Sequence, residues 1–336
     1  MSPDEIGIRP FAPAFDNEAL VRLAASLAIP ARVRLGIDRS PSFNGAPGVP
    51  GEPHEILVAE LRGEVVGFIE FAISEFCLFE KPIRVGHVPL AGVRPEMRRR
   101  GVLTALRDAA FSEARCRKAD LGLMLVNANN VPMQSLLRAA FPELVSLAPL
   151  FVHGILARIR PAFAGPRGRF EIERAPGAGS PTTAAFVKER MGAFDLRPDL
   201  EIRTFDALPG REPDDFVTAR DRNGDIAAVI STWDVSAWKR PVILGYGSIE
   251  GAIAQMLNAL RALRGRPPFP TPGGALNVRY ALCPLARPGS EEALQLLLDD
   301  RLADASDAHA ILVAVPRGDP RARAIRSFAR FVNVNI

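Results

Sequence analysis

The chain is poor in the residues that carry most metal, redox and aromatic chemistry. Its 336 residues hold three cysteines, four histidines, two tyrosines and two tryptophans. Cys77, Cys116 and Cys283 are too few and too scattered for a disulfide framework or a zinc site, and they read as small core residues. His54, His87, His153 and His309 show no metal-ligand spacing, so no metal is expected. No apolar run reaches the roughly 18 residues of a membrane span. Met1–Glu5 is acidic and lacks a charged-then-apolar leader. These absences predict a soluble, cytoplasmic chain with no membrane partner. Lysine is scarce too: all but Lys81, Lys118, Lys188 and Lys239 of the 42 Lys and Arg residues are Arg. The arginines alternate with 38 Asp and Glu residues and form no long basic run. The net charge of +4 and the pI near 9.3 therefore read as paired surface charge, with no nucleic acid as partner.

The length points to two domains, and a hydrophobic content of 48% supplies their cores. Ile6–Phe11 reads as a strand and Asn17–Leu27 as a helix with Leu20, Leu23, Ala24 and Leu27 on one face. Arg39–Pro50, rich in Pro, Gly and Ser, is a surface loop. Glu55–Leu61 and Val65–Phe76 make a hairpin about Arg62-Gly63-Glu64, and a further strand runs over Ile83–Val93. A helix with Leu103, Leu106, Ala110, Phe111 and Ala114 on its buried face follows, then a strand over Leu121–Val126. Asn127–Met133 turns into a helix through about Ala140, and Val145–Arg158 reads as closing strands of this first half. Pro161–Gly168 is the linker candidate, giving domains over 1–160 and 168–336. The second half repeats the order: strand Phe170–Arg174, helix Thr182–Met191, and a hairpin about Arg222-Asn223-Gly224. An extra helix over Ser248–Leu263 and a strand over Leu276–Leu285 follow. Helix Glu291–Ala303, strand Ala310–Val315, a short helix from Arg321 and strand Phe331–Val334 end the chain. This shared order is a weak internal repeat of one α/β unit.

Between the strand ending at Val93 and the helix beginning near Val102 stands Arg94-Pro95-Glu96-Met97-Arg98-Arg99-Arg100-Gly101. A helix N-terminus presents unpaired N–H groups and partial positive charge. Gly101 allows close backbone approach, and the arginines raise the local potential. The arrangement suits a bound phosphate.

Those residues resemble the acetyl-CoA loop of the GNAT superfamily of acyl-CoA-dependent acyltransferases, Gln/Arg-x-x-Gly-x-Gly/Ala. Here it reads Arg98-Arg99-Arg100-Gly101-Val102-Leu103, with Leu103 at the last position. A second motif, Asn130-Val-Pro-Met-Gln-Ser-Leu-Leu137-Arg-Ala-Ala-Phe141, follows the family's spacing after the next strand. The resemblance covers about residues 6–158. It implies an α/β (α+β) fold of two GNAT-like domains, each a mixed, mostly antiparallel central sheet flanked by helices, with a splayed strand pair in the N-terminal copy. Acetyl-CoA would be the cosubstrate. Its pantetheine would bind backbone near Ala91 and Val93, its pyrophosphate the N–H groups of Arg98, Arg99, Arg100, Gly101, Val102, Leu103 and Thr104, with Asn130 as a further contact. An amine acceptor would attack the thioester directly in a ternary complex, and a backbone N–H near Val93 would stabilise the oxyanion.

Many family members use a Tyr to protonate the leaving thiolate; the matching position is Leu137, and the only tyrosines are Tyr246 and Tyr280. CoA leaving as thiolate, a water, or Ser135 are the alternatives. For the base that deprotonates the acceptor, His87, Glu70 and Glu75 are the candidates, His87 first because its ordinary pKa suits the task. In the second half the equivalent loop, Leu282–Ser290, contains Pro284 and Pro288, which lack N–H donors, and is followed by Glu291 and Glu292. This copy reads as degenerate, without CoA, serving acceptor recognition, scaffolding or a homodimer contact. Trp233, Trp238, Tyr246 and Tyr280 are candidates for an acceptor pocket or for ordinary packing. The expected activity is acetyl transfer from CoA to a small-molecule amine. The alternative is a non-catalytic acyl-CoA-binding or regulatory protein.

Overall fold

A computed structural model describes residues 6–28, 32–45, 54–127, 130–141, 145, 150–156, 168–174, 180–199, 208, 216–263, 265–305, 307–326 and 333–335. They fall into two compact units. The first lies within Met1–Ala28, Gly36–Leu125 and Phe194–Leu200, the second within Ile29–Leu35, Val126–Ala193 and Glu201–Ile336.

The first unit comprises β1 (Gly7–Pro10), α1 (Pro13–Ser26), the second half of β2 (Val33–Asp38), β3 (Glu55–Leu61), β4 (Glu64–Leu78), β5 (Lys81–Val93), α2 (Val102–Cys116) and β6 (Leu121–Met124). The second adds α3 (Val131–Ala140), β7 (Leu150–Leu156), β8 (Phe170–Arg174) and α4 (Pro181–Met191). The chain then returns to the first unit for β9 (Leu196–Pro198). The rest belongs to the second: β10 (Phe216–Asp221), β11 (Ile226–Asp234), β12 (Arg240–Tyr246), α5 (Ser248–Ala262), β13 (Val278–Ala286), α6 (Ala293–Asp304), β14 (Ala310–Pro316), α7 (Arg321–Arg326) and β15 (Asn333–Asn335).

The first sheet has the order β1-β3-β4-β5-β6, with β9 also on β4. All of its pairs are antiparallel except β5–β6. Strand β4 is buried from Val65 to Ser74 because a helix covers each face. On one face Val102, Leu106 and Ala110 of α2 pack on Ala59, Val66, Ile69 and Phe71. Their spacing of four residues gives α2 a single apolar stripe. On the other face Leu20, Leu23 and Ala24 of α1 pack with Phe43, Ile56, Val58 and Phe68. Gly67 sets the approach of α2: a Cβ there would lie 3.0 Å from Val102 Cγ1 and 3.1 Å from Gly92 O.

The feature that positions the site is the fork between β5 and β6. Parallel pairing runs from Val85–Leu121 to Val88–Met124 and stops, while β5 continues to Val93. This is the expected splayed pair. A register shift between Glu70 and Ala72 places a bulge of β5 next to the fork.

The second sheet runs β15-β7-β14-β13-β11-β10-β8. Leu294, Leu297 and Leu298 of α6 pack on Val217, Ala228, Ile230, Ile311 and Val313. The hairpin at Asn223-Gly224 forms as expected, with Gly224 at φ +83°. Here too the parallel pair β13–β14 is short, from Val278–Ala310 to Tyr280–Leu312.

One strand sits elsewhere than the sequence reading placed it. Within Val145–Arg158, expected to close the first half, β7 instead bonds to β14 along its whole length. The compact units accordingly cross the expected division at 160/168. An apolar strand has no preference of its own between two sheets; the open edge of β14 decides its partner. Strands β2, β9 and β12 were not anticipated. The linker candidate up to residue 167 lies outside the described residues.

Candidate functional site

The Arg-rich loop leaves β5 through a single turn, Pro95–Met97, whose bonds end with Arg98 N–H to Pro95 O at 3.3 Å. The α2 ladder begins with Ala105 N–H to Gly101 O at 2.9 Å. Among the described residues, none of the N–H groups from Arg99 to Thr104 has a partner. Arg99 at φ +60° and Gly101 at φ +80° put left-handed residues into this run. Such alternation turns successive N–H groups toward one concave, anion-binding point. A left-handed Arg is strained, and strain of this kind concentrates at ligand sites. Arg98, Arg99 and Arg100 are exposed and make no ion pair among the described residues. Val102 is buried, and Leu103, off the family pattern, packs onto the core beneath α2 rather than over the loop. Thr104 is half-buried.

The strand leading to the loop presents the second half of the cradle. Arg94 N–H bonds Val66 O of β4 at 2.9 Å. Backbone direction alternates along a strand, so the N–H and C=O groups of Val93 and Ala91 face away from β4, toward the side where β6 has diverged. An extended polar chain can add there as a further strand.

On the α1 face lies a buried polar cluster. Glu70, 1% exposed, sits on β4. Its Oε2 is 2.8 Å from Arg39 Nη2, and its Oε1 is 2.7 Å from His54 Nδ1. Arg39 Nη1 also donates to Phe43 O at 3.2 Å, and its guanidinium lies over the Phe43 ring at 4.9 Å. Burial pushes the Glu70 carboxyl upward, but the His54 hydrogen bond and the Arg39 charge together hold it below its ordinary value, so it is an anion. His87, on β5 one pair before the fork, has its ring 6.0 Å from that of His54 at 83°. Burial, then the proximity of His54, pushes the His87 pKa down, so its ring is neutral at pH 7. His54 Nε2 and His87 Nδ1 are both buried and without a partner among the described residues.

The structure thus brings His87 and Glu70 together and adds His54 and Arg39, which sequence reasoning did not select. Strand parity held the signal: Ile56 faces Glu70 across the ladder, so His54, two residues earlier, shares its face. Glu75 lies apart, exposed, 3.6 Å from Arg84. Asn130 belongs to the second unit, where its Oδ1 accepts from Met133 N–H at 3.3 Å and caps α3; Leu137 is buried there. His309 is structural: Nδ1 accepts from Asn277 N–H at 2.9 Å, and Nε2 donates to Pro268 O at 2.9 Å. The side chain of His153 lies outside the described residues.

The equivalent loop of the second unit is closed by its own bonds. Gly289 N–H donates to the Glu291 carboxylate at 3.1 Å, and Ser290 N–H donates to Arg287 O at 2.9 Å. Ala293, Leu294 and Gln295 donate to Ser290, Glu291 and Glu292 carbonyls. Arg287 is held by Asp221 at 2.9 Å and Ile226 O at 2.6 Å. Trp233 stacks near Trp238 at 5.9 Å, Lys239 sits 5.7 Å over Tyr280, and Tyr246 Oη donates to Pro270 O at 2.7 Å. No His/Cys/Asp/Glu cluster suited to a metal occurs among the described residues. Nor is any described helix long and apolar enough to cross a membrane.

Residues 49–127 match the family model of the acetyltransferase (GNAT) domain. A search of curated proteins finds no match. Among solved structures, a GCN5-related N-acetyltransferase from Sphaerobacter thermophilus aligns over 96% of this chain and 92% of its own, at 14% identity and TM-score 0.59. A tandem GNAT protein from the clavulanic acid biosynthesis pathway aligns over 97% and 94%, at 16% identity and TM-score 0.55. A GCN5-related glucosamine N-acetyltransferase region of a fungal multi-domain GH3 β-N-acetylglucosaminidase aligns over the whole of this chain, at 13% identity and TM-score 0.60. The chain spans only 38% of that fungal protein. At such identities the likeness is one of fold. Residues 49–127 therefore form a GNAT domain, in a chain with the fold of the tandem GNAT proteins.

Proposed function

We propose that the first unit transfers an acetyl group from acetyl-CoA to the amine of a small-molecule acceptor, by direct attack in a ternary complex. The observation that carries this reading is the unpartnered N–H run from Arg99 to Thr104 at the N-terminus of α2. It supports a cradle for the CoA pyrophosphate, with Arg98, Arg99 and Arg100 supplying positive charge. Val93 and Ala91 hold the pantetheine amides as an added strand in the fork. A backbone N–H of the same strand faces the thioester carbonyl and stabilises the oxyanion. His87 accepts a proton from the acceptor ammonium. The amine nitrogen then attacks, the C–N bond forms, and the C–S bond breaks with its electron pair on sulfur. A thiol with pKa near 8.5 is an adequate leaving group as thiolate, so the reaction does not require a tyrosine at position 137. The second unit binds no CoA, because the N–H groups of its loop are already bonded, Gly289 to the Glu291 carboxylate and Ser290, Ala293, Leu294 and Gln295 to backbone carbonyls.

The absence of tyrosine from residues 1–160 favours a second reading, a non-catalytic acyl-CoA-binding protein. Calorimetry with acetyl-CoA and thiol release across an amine panel separate the two. Acetyl-dependent release with any amine supports transfer. Tight binding with no release on the whole panel supports the second reading, and no binding of acetyl-CoA refutes both.

A further inference from the structure

We infer that His54 and His87 form a two-imidazole proton acceptor for the substrate ammonium, with Glu70 and Arg39 as the positioning residues that fix the His54 tautomer. The inference rests on the acyl-transfer reading for its substrate, but its geometry stands on the cluster itself.

An ionised carboxylate only accepts hydrogen bonds. Glu70 is such a carboxylate, so the 2.7 Å contact requires a proton on His54 Nδ1, and in the neutral form of the ring the lone pair is then on Nε2. A core that needed only to neutralise Glu70 had Arg39 for the purpose, at 2.8 Å. His54 is not needed for charge balance, and its Nε2 is left buried and without a partner among the described residues. His87 Nδ1 is in the same condition. Two orphaned imidazole nitrogens on rings 6.0 Å apart, edge to face, mark a place where a polar group from outside completes the bonding. That place adjoins the fork. His87 pairs with Leu123, one step before β6 diverges, and the bulge opposite Phe71 follows directly. A pantetheine running back from the loop along Val93 and Ala91 carries its thioester toward this bulge. Among the described residues, the charged and titratable groups facing the rings are Arg39 after β2, Glu70 on β4, and the two histidines.

The proton balance is simple. The ammonium gives one proton to an imidazole, which later returns it to solvent. The nitrogen's second departing proton ends on the thiolate sulfur once the C–S bond has broken. Glu70 stays ionised throughout and, when the proton taken up at the pair rests on His54, stabilises that imidazolium across the 2.7 Å hydrogen bond.

Two experiments on the full chain test this. With four histidines in the sequence, ¹⁵N-histidine NMR assigns each ring. Neutral His54 is expected as the Nδ1–H tautomer, and an Nε2–H tautomer overturns the relay whether or not any amine is turned over. With an amine that the wild type acetylates, His54→Gln is expected to keep acetyl-CoA affinity within about threefold while kcat/KM falls about 10²–10⁴-fold. Glu70→Gln is expected to move the acidic limb of the pH–rate profile, with Glu70→Asp restoring it in part. A His54→Gln protein with wild-type kcat/KM overturns the assignment, and His87→Gln serves as the second variant if His54→Gln does not fold. If acetyl-CoA binds and no amine reacts, the activity reading fails while the tautomer still decides this one.

Discussion

Replacing Gly101 by Glu separates the ligand-binding role of the loop from its structural one. Gly101 sits at φ +80°, and a Cβ added there meets no atom within 4 Å. The folded protein therefore loses only the cost of a left-handed L-residue, about 1–2 kcal/mol. The ligand loses far more. The new carboxylate lies among the N–H groups that the pyrophosphate requires. At about 4 Å a pair of like unit charges repels by about 1 kcal/mol in bulk water and about 4 kcal/mol at an effective dielectric of 20. The loop is exposed, so the lower part of that range applies to each charge. Two phosphate charges and the displaced N–H contacts bring the loss to about 4 kcal/mol, or about 10³-fold in Kd. The chain contains a natural version of this substitution, since Glu291 fills the Gly289 N–H in the second unit. Calorimetry with acetyl-CoA, alongside thermal melting, gives the reading. Gly101→Ala controls for the backbone cost, with similar melting and a much smaller loss of affinity. A folded Gly101→Glu protein that binds acetyl-CoA like the wild type refutes the loop assignment.

Other outcomes follow from the same geometry. Glu291→Ala leaves the stoichiometry at one acetyl-CoA per chain, because Ser290, Ala293, Leu294 and Gln295 N–H groups remain bonded; two sites by calorimetry would contradict this. Arg39→Met strands the buried Glu70 anion and lowers unfolding free energy by about 3–5 kcal/mol in urea titrations. Stability falls with pH in two stages. His87 and His309 are held below 6.5 by burial, so the unfolded chain takes up protons first as pH drops below about 6.5. Glu70 is held below 4.5, so its stabilisation is complete above 4.5 and is lost as pH falls further. Melting curves between pH 7.5 and 3.5 check this, with the first stage reduced in His87→Gln.

How much of this was legible in the sequence depends on range. Local chemistry was: Gly101 after the arginines, Asn223-Gly224 in its hairpin, and the spacing of Val102, Leu106 and Ala110 each encode a turn or a face within a few residues. So was the contrast between the two loops, since Pro288 and Glu291 act on their immediate neighbours. Partner choice was not. Nothing within Leu150–Leu156 says which sheet edge it joins, and β2, β9 and β12 are short strands whose pairing depends on distant chain. The site was half legible for the same reason. Glu70 and His87 lie on recognisable strands, whereas His54 and Arg39 enter through a loop and a strand start. Their meeting requires the register of β3 on β4.

The most direct measurement is a crystal structure of the protein with acetyl-CoA. The account predicts pyrophosphate oxygens about 2.7–3.2 Å from the N–H groups between Arg99 and Thr104, with pantetheine along Ala91 and Val93 and no second molecule at Gly289–Ser290. Pyrophosphate bound anywhere else on the chain would contradict it.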